Sequence, residues 1–428
     1  MILPKPTPGV STWFVHDRFG MFVHWGLYAV AARHEWIQST DKIDPEVYCE
    51  NYLKRFDPVR YDPREWARTA RAAGMKYAVI TAKHHEGFCL WDSAYTDFKA
   101  TNTGHGNDLL ALFVEAFRAE GLRVGLYYSL LDWHHPDFTI DVYHPLRDHP
   151  DVAKLNAGRH MPRYADYVRN QLQELLLRFE PDILWCDFSY PDVAYQGLPG
   201  KGRQDWESER LVALIRETSP KTMINNRMDL PPSFEPDFHT PEQVQPTEWV
   251  QVDGRRVVWE ACQTFNGRWG YNRDEDNWKS PGQLIRLLVN TVACGGNLLM
   301  NVGPTALGTF DGRAMKSLDV YHEWLDAHGD AIYGCTQSEF NAPVDCRLTQ
   351  NGKRLFVHVF AWPFRHVRMP GMASKVARAR FLHDGSEVPI EGSAWETDQM
   401  NLKRGELVLF LPVKKPPVVV PVIELTLE

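Results

Sequence analysis

At 428 residues, with 44% hydrophobic and 24% charged side chains, the chain can bury a sizeable core and is long enough for one large domain and a smaller companion. A formal net charge of -8 without long runs of Lys and Arg excludes a nucleic-acid or anionic-lipid partner and leaves a small, uncharged or weakly charged molecule. No window is apolar for the length a membrane span needs, and the opening "MILPKPTPGVSTWF" lacks an apolar core behind a basic start, so the expectation is a cytoplasmic protein off the membrane. Seven scattered cysteines, in surroundings such as "GFCLW" and "LWCDF", predict reduced, buried thiols and neither a disulfide framework nor a zinc site. Fifteen Trp suit either a sugar-binding cleft or a large core.

In chain order, "RFGMFVHWG" is the opening strand, and the amphipathic "PREWARTARAAG" leads into the strand "KYAVITAK" (Lys76 to Lys83). The helix "NDLLALFVEAFRAEG", ended by Gly121 because glycine tolerates positive φ, leads into "LRVGLYYSL" (Leu122 to Leu130). "YADYVRNQLQELLLRFE" precedes "DILWCDF", and "DWESERLVALIRETSP" precedes "KTMINN". "RRVVWEAC" (Arg255 to Cys262), the helix "PGQLIRLLVNTVACGG", the strand "NLLMNVGP" and the helix "AMKSLDVYHEWLDAHGDA" complete the series. Apolar strands alternating with helices predict a parallel sheet covered by helices. Seven or eight such units fit an α/β fold of the (β/α)8-like barrel type over residues 1–335; a doubly wound sheet is the rival, but no G-x-G-x-x-G follows the first strand. After "AIYGC" the helical period stops, and short strands such as "RLFVHVFAW" and "ELVLFLPV" predict a small all-β sandwich over residues 336–428.

The functional face of such a barrel lies at the carboxyl ends of its strands. His24 and Trp25, His84 and His85, Tyr127 and Tyr128, Asp187, Asn225 to Arg227, and Glu260 all read as strand-end residues. Any one of them could be polar merely because the chain turns there, but polar groups converging on one rim cost desolvation unless something uses them. Asp182, before its strand, belongs to the opposite face. Asp187 at an apolar rim suits a nucleophile or electrostatic stabiliser, with a second carboxyl from Glu35, Glu86, Glu242 or Glu260 serving as acid and base. The residues alone reach a two-carboxylate hydrolase and leave its stereochemistry open.

The motifs "DRFGMFVHWGLYAV", "EW" at Glu35, "YDPREWARTARAAGMKYAVITAKHHEGFCLWDS", "GLYYSLLDWHHPDF", "PDILWCDF", "TPEQ", "WEACQTFNGRWGY" and "GGNLLMNVGPTALG", in that order, resemble the α-L-fucosidases of glycoside hydrolase family 29. The resemblance implies a barrel followed by a β-sandwich. It also implies a retaining exo-glycosidase that releases terminal α-L-fucose through a covalent fucosyl-enzyme intermediate, needing no cofactor or metal. Carried over, Asp187 is the nucleophile, Glu242 of the "TPE" pattern the acid/base with Glu260 as alternative, and His24, Glu35, Trp36, His84, His85, Tyr127, Trp185, Arg227 and Trp269 line the fucose pocket. The implied partner is a fucosylated oligosaccharide or glycoconjugate. Histidine, glutamate and arginine would bond the sugar hydroxyls, while Trp and Tyr would wall its C6 methyl.

Two departures stand out: Glu86 where the family more often has Asp, and Phe188 where Gly is common, which bears on the leaving-group side. The insertion "DVYHPLRDHPDVAKLNAGRHMPR" (Asp141 to Arg163) is the expected determinant of linkage preference. Two other functions remain open. One is a non-catalytic fucose-binding protein on the same scaffold. The other is a metal-dependent hydrolase using the doublets His84–His85 and His134–His135, although adjacent histidines on a strand point to opposite faces.

Overall fold

The computed structural model describes Gly9 and residues 11–428. Seven parallel strands, β1 (Phe19–Val23), β2 (Tyr77–Lys83), β3 (Arg123–Ser129), β4 (Ile183–Asp187), β5 (Met223–Ile224), β6 (Glu260–Thr264) and β7 (Asn297–Val302), pair in the order β6-β7-β1-β2-β3-β4-β5. Period-two alternation divides their side chains. Met21, Ala78, Ile80, Leu126, Leu184 and Met300 pack outward in one core, and Phe22, Val79, Tyr127, Ile183, Trp185 and Leu299 pack inward in another. Burial on both faces is why most of these strands read as continuous apolar runs.

The covering helices are α1 (Pro63–Ala72), α2 (Leu109–Ala119), α3 (Met161–Phe179), α4 (Ser208–Thr218), α5 (Pro281–Ala293) and α6 (Gly312–His328). Their starts are written locally. The Asp62 carboxylate accepts from the Arg64 and Glu65 amides at the head of α1, and Ser280 and Gln283 cap α5 reciprocally. Each such cap stabilises its helix by about 1 kcal/mol. Gly121, past the end of α2, has φ +77°, as its expected cap role requires.

Between β5 and β6 the expected eighth unit is irregular. Residues 237–243 fill the gap, with the Asp237 amide donating to Ile224 O at 2.9 Å on one side and the Gln243 amide to Cys262 O at 3.1 Å on the other. On that second side the Glu260 amide also donates to His239 O at 2.8 Å and the Cys262 amide to Pro241 O at 3.2 Å. This stave closes the barrel without forming a regular ladder.

The remaining chain is antiparallel. Thr336–Gln337, Cys346–Asn351, Arg354–Val359, Val422–Leu427 and Val376–Phe381 form one sheet in that order, and His366–Met369 pairs with Leu407–Phe410 in another. Leu355, Val357, Ile423 and Leu425 of the first share a core with Val367, Met369, Leu407 and Leu409 of the second, which is the packing of a sandwich. The antiparallel sheets of this sandwich begin at Thr336, on which ground we propose that the two parts divide between residues 335 and 336. The other face of the larger sheet meets the barrel helices: Phe356, Val420 and Val422 join the outer core, and the Trp324 indole donates to Val420 O at 3.0 Å. No helix among the described residues is long and apolar enough to cross a membrane.

Candidate active site

Asp187 is the last residue of β4, its carbonyl held by the Leu130 amide at 2.8 Å. Its side chain lies on the inward face with Trp185 and Ile183. The Tyr127 hydroxyl donates to Asp187 Oδ2 at 2.9 Å and Arg227 Nη1 to Oδ1 at 3.1 Å. The same Arg227 nitrogen donates to Glu242 Oε2 at 2.6 Å, so one guanidinium spans both carboxylates. Arg227 is itself fixed, with Nε on Thr240 Oγ1 at 2.7 Å, Nη2 on Thr240 O at 3.0 Å, and its plane over the Trp185 ring at 4.7 Å.

Burial pushes the Asp187 carboxyl above the ordinary aspartate range; Arg227 opposes that and Glu242 adds to it. Burial alone would lower the Arg227 guanidinium, but Asp187, Cys262 and Glu242 outweigh it and keep it protonated.

Around this pair lies a cavity with about 340 Å³ of empty space, walled by His24, Trp36, His84, His85, Tyr127, Trp185, Asp187, Arg227, Glu242 and Trp269, with Phe22, Phe188 and Cys262 beside them. It adjoins a more open groove of about 1040 Å³ that shares Asp187, Phe188, Arg227 and Glu242 and adds Tyr143, Tyr190 and Asp229. A larger groove of about 1890 Å³, between the Arg255–Arg256 hairpin and Phe340 and Arg347 of the antiparallel part, holds none of the candidate residues.

His24 follows β1, and its Nδ1 is 2.6 Å from Asn301 Oδ1. His85 Nδ1 is 2.7 Å from Ser129 Oγ. His84 stacks on Tyr127, ring centroids 5.5 Å apart, and its Nδ1 is buried without a hydrogen-bond partner among the described residues. Burial drives His24 down to about 3 and holds His84 and His85 well below the ordinary imidazole range, so all three face the cavity neutral.

Several sequence expectations need correction. His84 and His85 do not point to opposite faces: β2 ends at Lys83, and its register with β3 shifts between Thr81 and Lys83, which breaks the alternation. Their rings lie 4.0 Å apart and both line the cavity. Glu260 does not end its strand but opens it, opposite Asn297. The apolar run "RRVVWEAC" misled because Arg255–Arg256 belong to a separate hairpin with Gln251–Val252. Glu260 is fully buried beneath the cavity floor, accepting from Tyr77 Oη at 2.5 Å and Trp185 Nε1 at 3.2 Å, and burial raises it to about 7. It holds Trp185, on which Arg227 lies. Glu35 is likewise absent from the cavity wall; its Oε2 accepts from the Gly270 amide at 2.8 Å and so anchors the Trp269 loop.

Trp25 and Tyr128 face the helices, bonding Thr305 O and Gln171. Glu86 is buried against the Leu27 amide and the Tyr48 hydroxyl. His134 and His135 stand outside the cavity against Phe98 and Tyr167, and among the described residues no group of three His, Cys, Asp or Glu is arranged to hold a metal ion.

Phe22 and Cys262 were missed, although period two from His24 and from Glu260 would have placed both inward. Phe188 sits at φ +95°, a conformation costly for any residue with a Cβ. Its ring is held among Trp36, His85, Tyr143 and Tyr190 at centroid distances of 5.4, 5.1, 5.3 and 5.1 Å. The expected insertion therefore reaches the site through Tyr143.

Comparison with known proteins places the chain in a family. Residues 6–330 match the family described as Alpha-L-fucosidase. The fold is similar to that of alpha-L-fucosidase isoenzyme 1 from Paenibacillus thiaminolyticus, with 43% identity, 98% of each chain covered and a TM-score of 0.90. An alpha-L-fucosidase of family GH29 from Bacteroides thetaiotaomicron, solved as a trapped covalent intermediate with 2-fluoro-fucosyl fluoride, is similar at 25% identity over the whole of both chains, with a TM-score of 0.82. Plasma alpha-L-fucosidase of Homo sapiens is 28% identical over 94% of this chain and 86% of its own. With a family match over three quarters of its length and two carboxylates, buried Asp187 and half-exposed Glu242, bridged by one arginine at the barrel rim, the chain belongs to the α-L-fucosidases of glycoside hydrolase family 29.

Proposed function

We propose that the chain is a retaining exo-glycosidase that cleaves terminal α-L-fucosyl linkages of oligosaccharides or glycoconjugates by double displacement. Asp187 attacks the anomeric carbon while Glu242 gives its proton to the departing glycosidic oxygen. Glu242 then takes a proton from water, which attacks the same carbon and frees Asp187.

The observation that supports this most is the shared guanidinium. With Asp187 Oδ1 at 3.1 Å and Glu242 Oε2 at 2.6 Å from one nitrogen, those oxygens are at most about 5.7 Å apart. Retaining enzymes place the pair about 5–5.5 Å apart, and inverting ones about 6.5–9.5 Å, to leave room for a water. Tyr127 and Arg227 orient the Asp187 carboxylate, so attack needs little rearrangement. Half-exposed Glu242 sits where the cavity opens into the groove, as a group serving both leaving oxygen and water should.

The neutral imidazoles of His24, His84 and His85 suit sugar hydroxyls, and Trp36, Trp185 and Trp269 suit the methyl face. The relative trapped as a covalent intermediate adds weight to the same pathway. Seven unpaired cysteines support a reducing compartment.

Proton NMR of an α-L-fucoside during hydrolysis tests the reading. The α-anomer of fucose should appear first and mutarotate later. Initial release of the β-anomer would overturn it.

A further inference from the structure

We propose that Asn301 is a positioning residue that sets the tautomer of His24 and the place of Trp269, so that His24 meets the sugar as a hydrogen-bond acceptor. The inference rests on the reading of His24 as a ligand of the substrate.

Asn301 lies in β7, 2% exposed, and both ends of its amide are engaged: Nδ2 donates to Trp269 O at 2.6 Å, and Oδ1 lies 2.6 Å from His24 Nδ1. A carbonyl oxygen can only accept, so the contact with Trp269 O requires the amide nitrogen on that side. The amide oxygen then faces His24 and can only accept in turn. His24 Nδ1 must therefore carry the hydrogen, and in the neutral ring Nε2 is bare. With Nδ1 tied back to β7, Nε2 is the nitrogen left for the cavity His24 lines.

Burial keeps the ring neutral, at about 3. The titratable groups facing it are His84, Tyr127 and, further off, His85; Phe22 and Trp269 complete its surroundings, and among the described residues it has no hydrogen bond or ion pair to a carboxylate. The same amide holds the loop that brings Trp269 within 5.0 Å of the His24 ring. Gly303, two residues on, allows that loop its close approach, since a Cβ there would come 2.6 Å from the Tyr271 amide nitrogen. One side chain thus fixes an acceptor for a hydroxyl and an aromatic wall beside it.

Two measurements test this. In 15N spectra of histidine-labelled parent enzyme, with His24 assigned through His24→Gln, Nδ1 should stay protonated and Nε2 bare from pH 8 to pH 5. An Nε2–H tautomer, or an imidazolium within that range, overturns the proposal. In kinetics, Asn301→Asp puts a carboxylate against Nδ1, which favours the imidazolium, and removes the donor to Trp269 O. Its kcat/KM should fall at least tenfold at the plateau, and its acid limb should move up by a pH unit or more. Asn301→Ala should show the fall without the move. An Asn301→Asp profile with the parent's acid limb overturns the proposal, because a merely structural residue would change the active fraction and not the limb. Should both variants fail to fold, the spectrum of the parent decides. Absence of fucoside turnover by the parent would instead sink the proposed function and leave the tautomer to be read independently.

Discussion

Glu242 and Glu260 are separated by replacing each with glutamine. Glu260 is buried with its two oxygens on Tyr77 and Trp185, and burial raises it from 4.5 to about 7. The protonated form is therefore favoured in the folded state. Its contribution to stability is full below pH 4.5 and lost as pH rises toward 7, an effect of about 3 kcal/mol at 1.36 kcal/mol per pH unit. Glu260→Gln stays neutral, but its single amide oxygen can accept from only one of Tyr77 Oη and Trp185 Nε1, which costs about 1 kcal/mol. Urea unfolding should thus find the variant about 1 kcal/mol less stable than the parent at pH 4 and about 2 kcal/mol more stable at pH 8. Because Glu260 acts only by supporting Trp185 and Arg227, its kcat/KM on a fucosylated oligosaccharide should fall less than about tenfold, which 1.4 kcal/mol would account for. Glu242→Gln should lose about 10²–10⁴-fold on the same substrate and far less on α-L-fucosyl fluoride, whose leaving group needs no proton. The reasoning is refuted if Glu260→Gln shows the larger, leaving-group-dependent loss.

The neutral, buried histidines make the fold sensitive to acid. Burial holds His24, His144 and His358 at about 3 and His328 at about 4, so below pH 6.5 the unfolded chain takes up protons that the folded chain refuses. Each should cost about 2 kcal/mol of stability between pH 6.5 and pH 5, and His358→Gln should remove about that much of the decline; an unchanged slope in urea titrations would contradict it. Phe188→Gly relieves a φ of +95° but opens the aromatic wall between cavity and groove. It should raise kcat/KM for branched fucosylated oligosaccharides relative to α-L-fucosyl fluoride, and an unchanged ratio would remove Phe188 from leaving-group selection. Full activity after prolonged dialysis against EDTA is expected, and a loss restored by added divalent metal would revive the metal-dependent alternative.

What the sequence made legible follows from where regular structure carries the site. His24, Asp187 and Arg227 end or follow strands whose apolar runs are plain, and Tyr127 lies on the inward face two residues before the end of β3, so period and strand-end position find them without a structure. Glu242 rides on an irregular stave, "DFHTPEQ", which has a proline and no alternation; only its motif marked it. Glu260 was misplaced because β6, "EACQT", is among the least apolar of the strands, while the run before it forms a hairpin elsewhere. Glu35 carries a recognisable motif, yet the contact its Oε2 makes is with the Gly270 amide, and Asn301 contacts His24 and Trp269. Residues that work by holding others have no chemical signature of their own in one sequence. The antiparallel part was legible as strands, yet the packing of its larger sheet against α6 depends on Phe356, Val420 and Val422, which look like any sandwich residues.

The central claim is that Asp187 becomes covalently bound to the sugar. Intact-mass and peptide analysis of the enzyme after reaction with 2-deoxy-2-fluoro-α-L-fucosyl fluoride measures it directly. The account predicts one fluorofucosyl group per chain, on the peptide containing "ILWCDF" and at Asp187. A label on Glu242 or Glu260, or full turnover of aryl fucoside by Asp187→Gly, would contradict it.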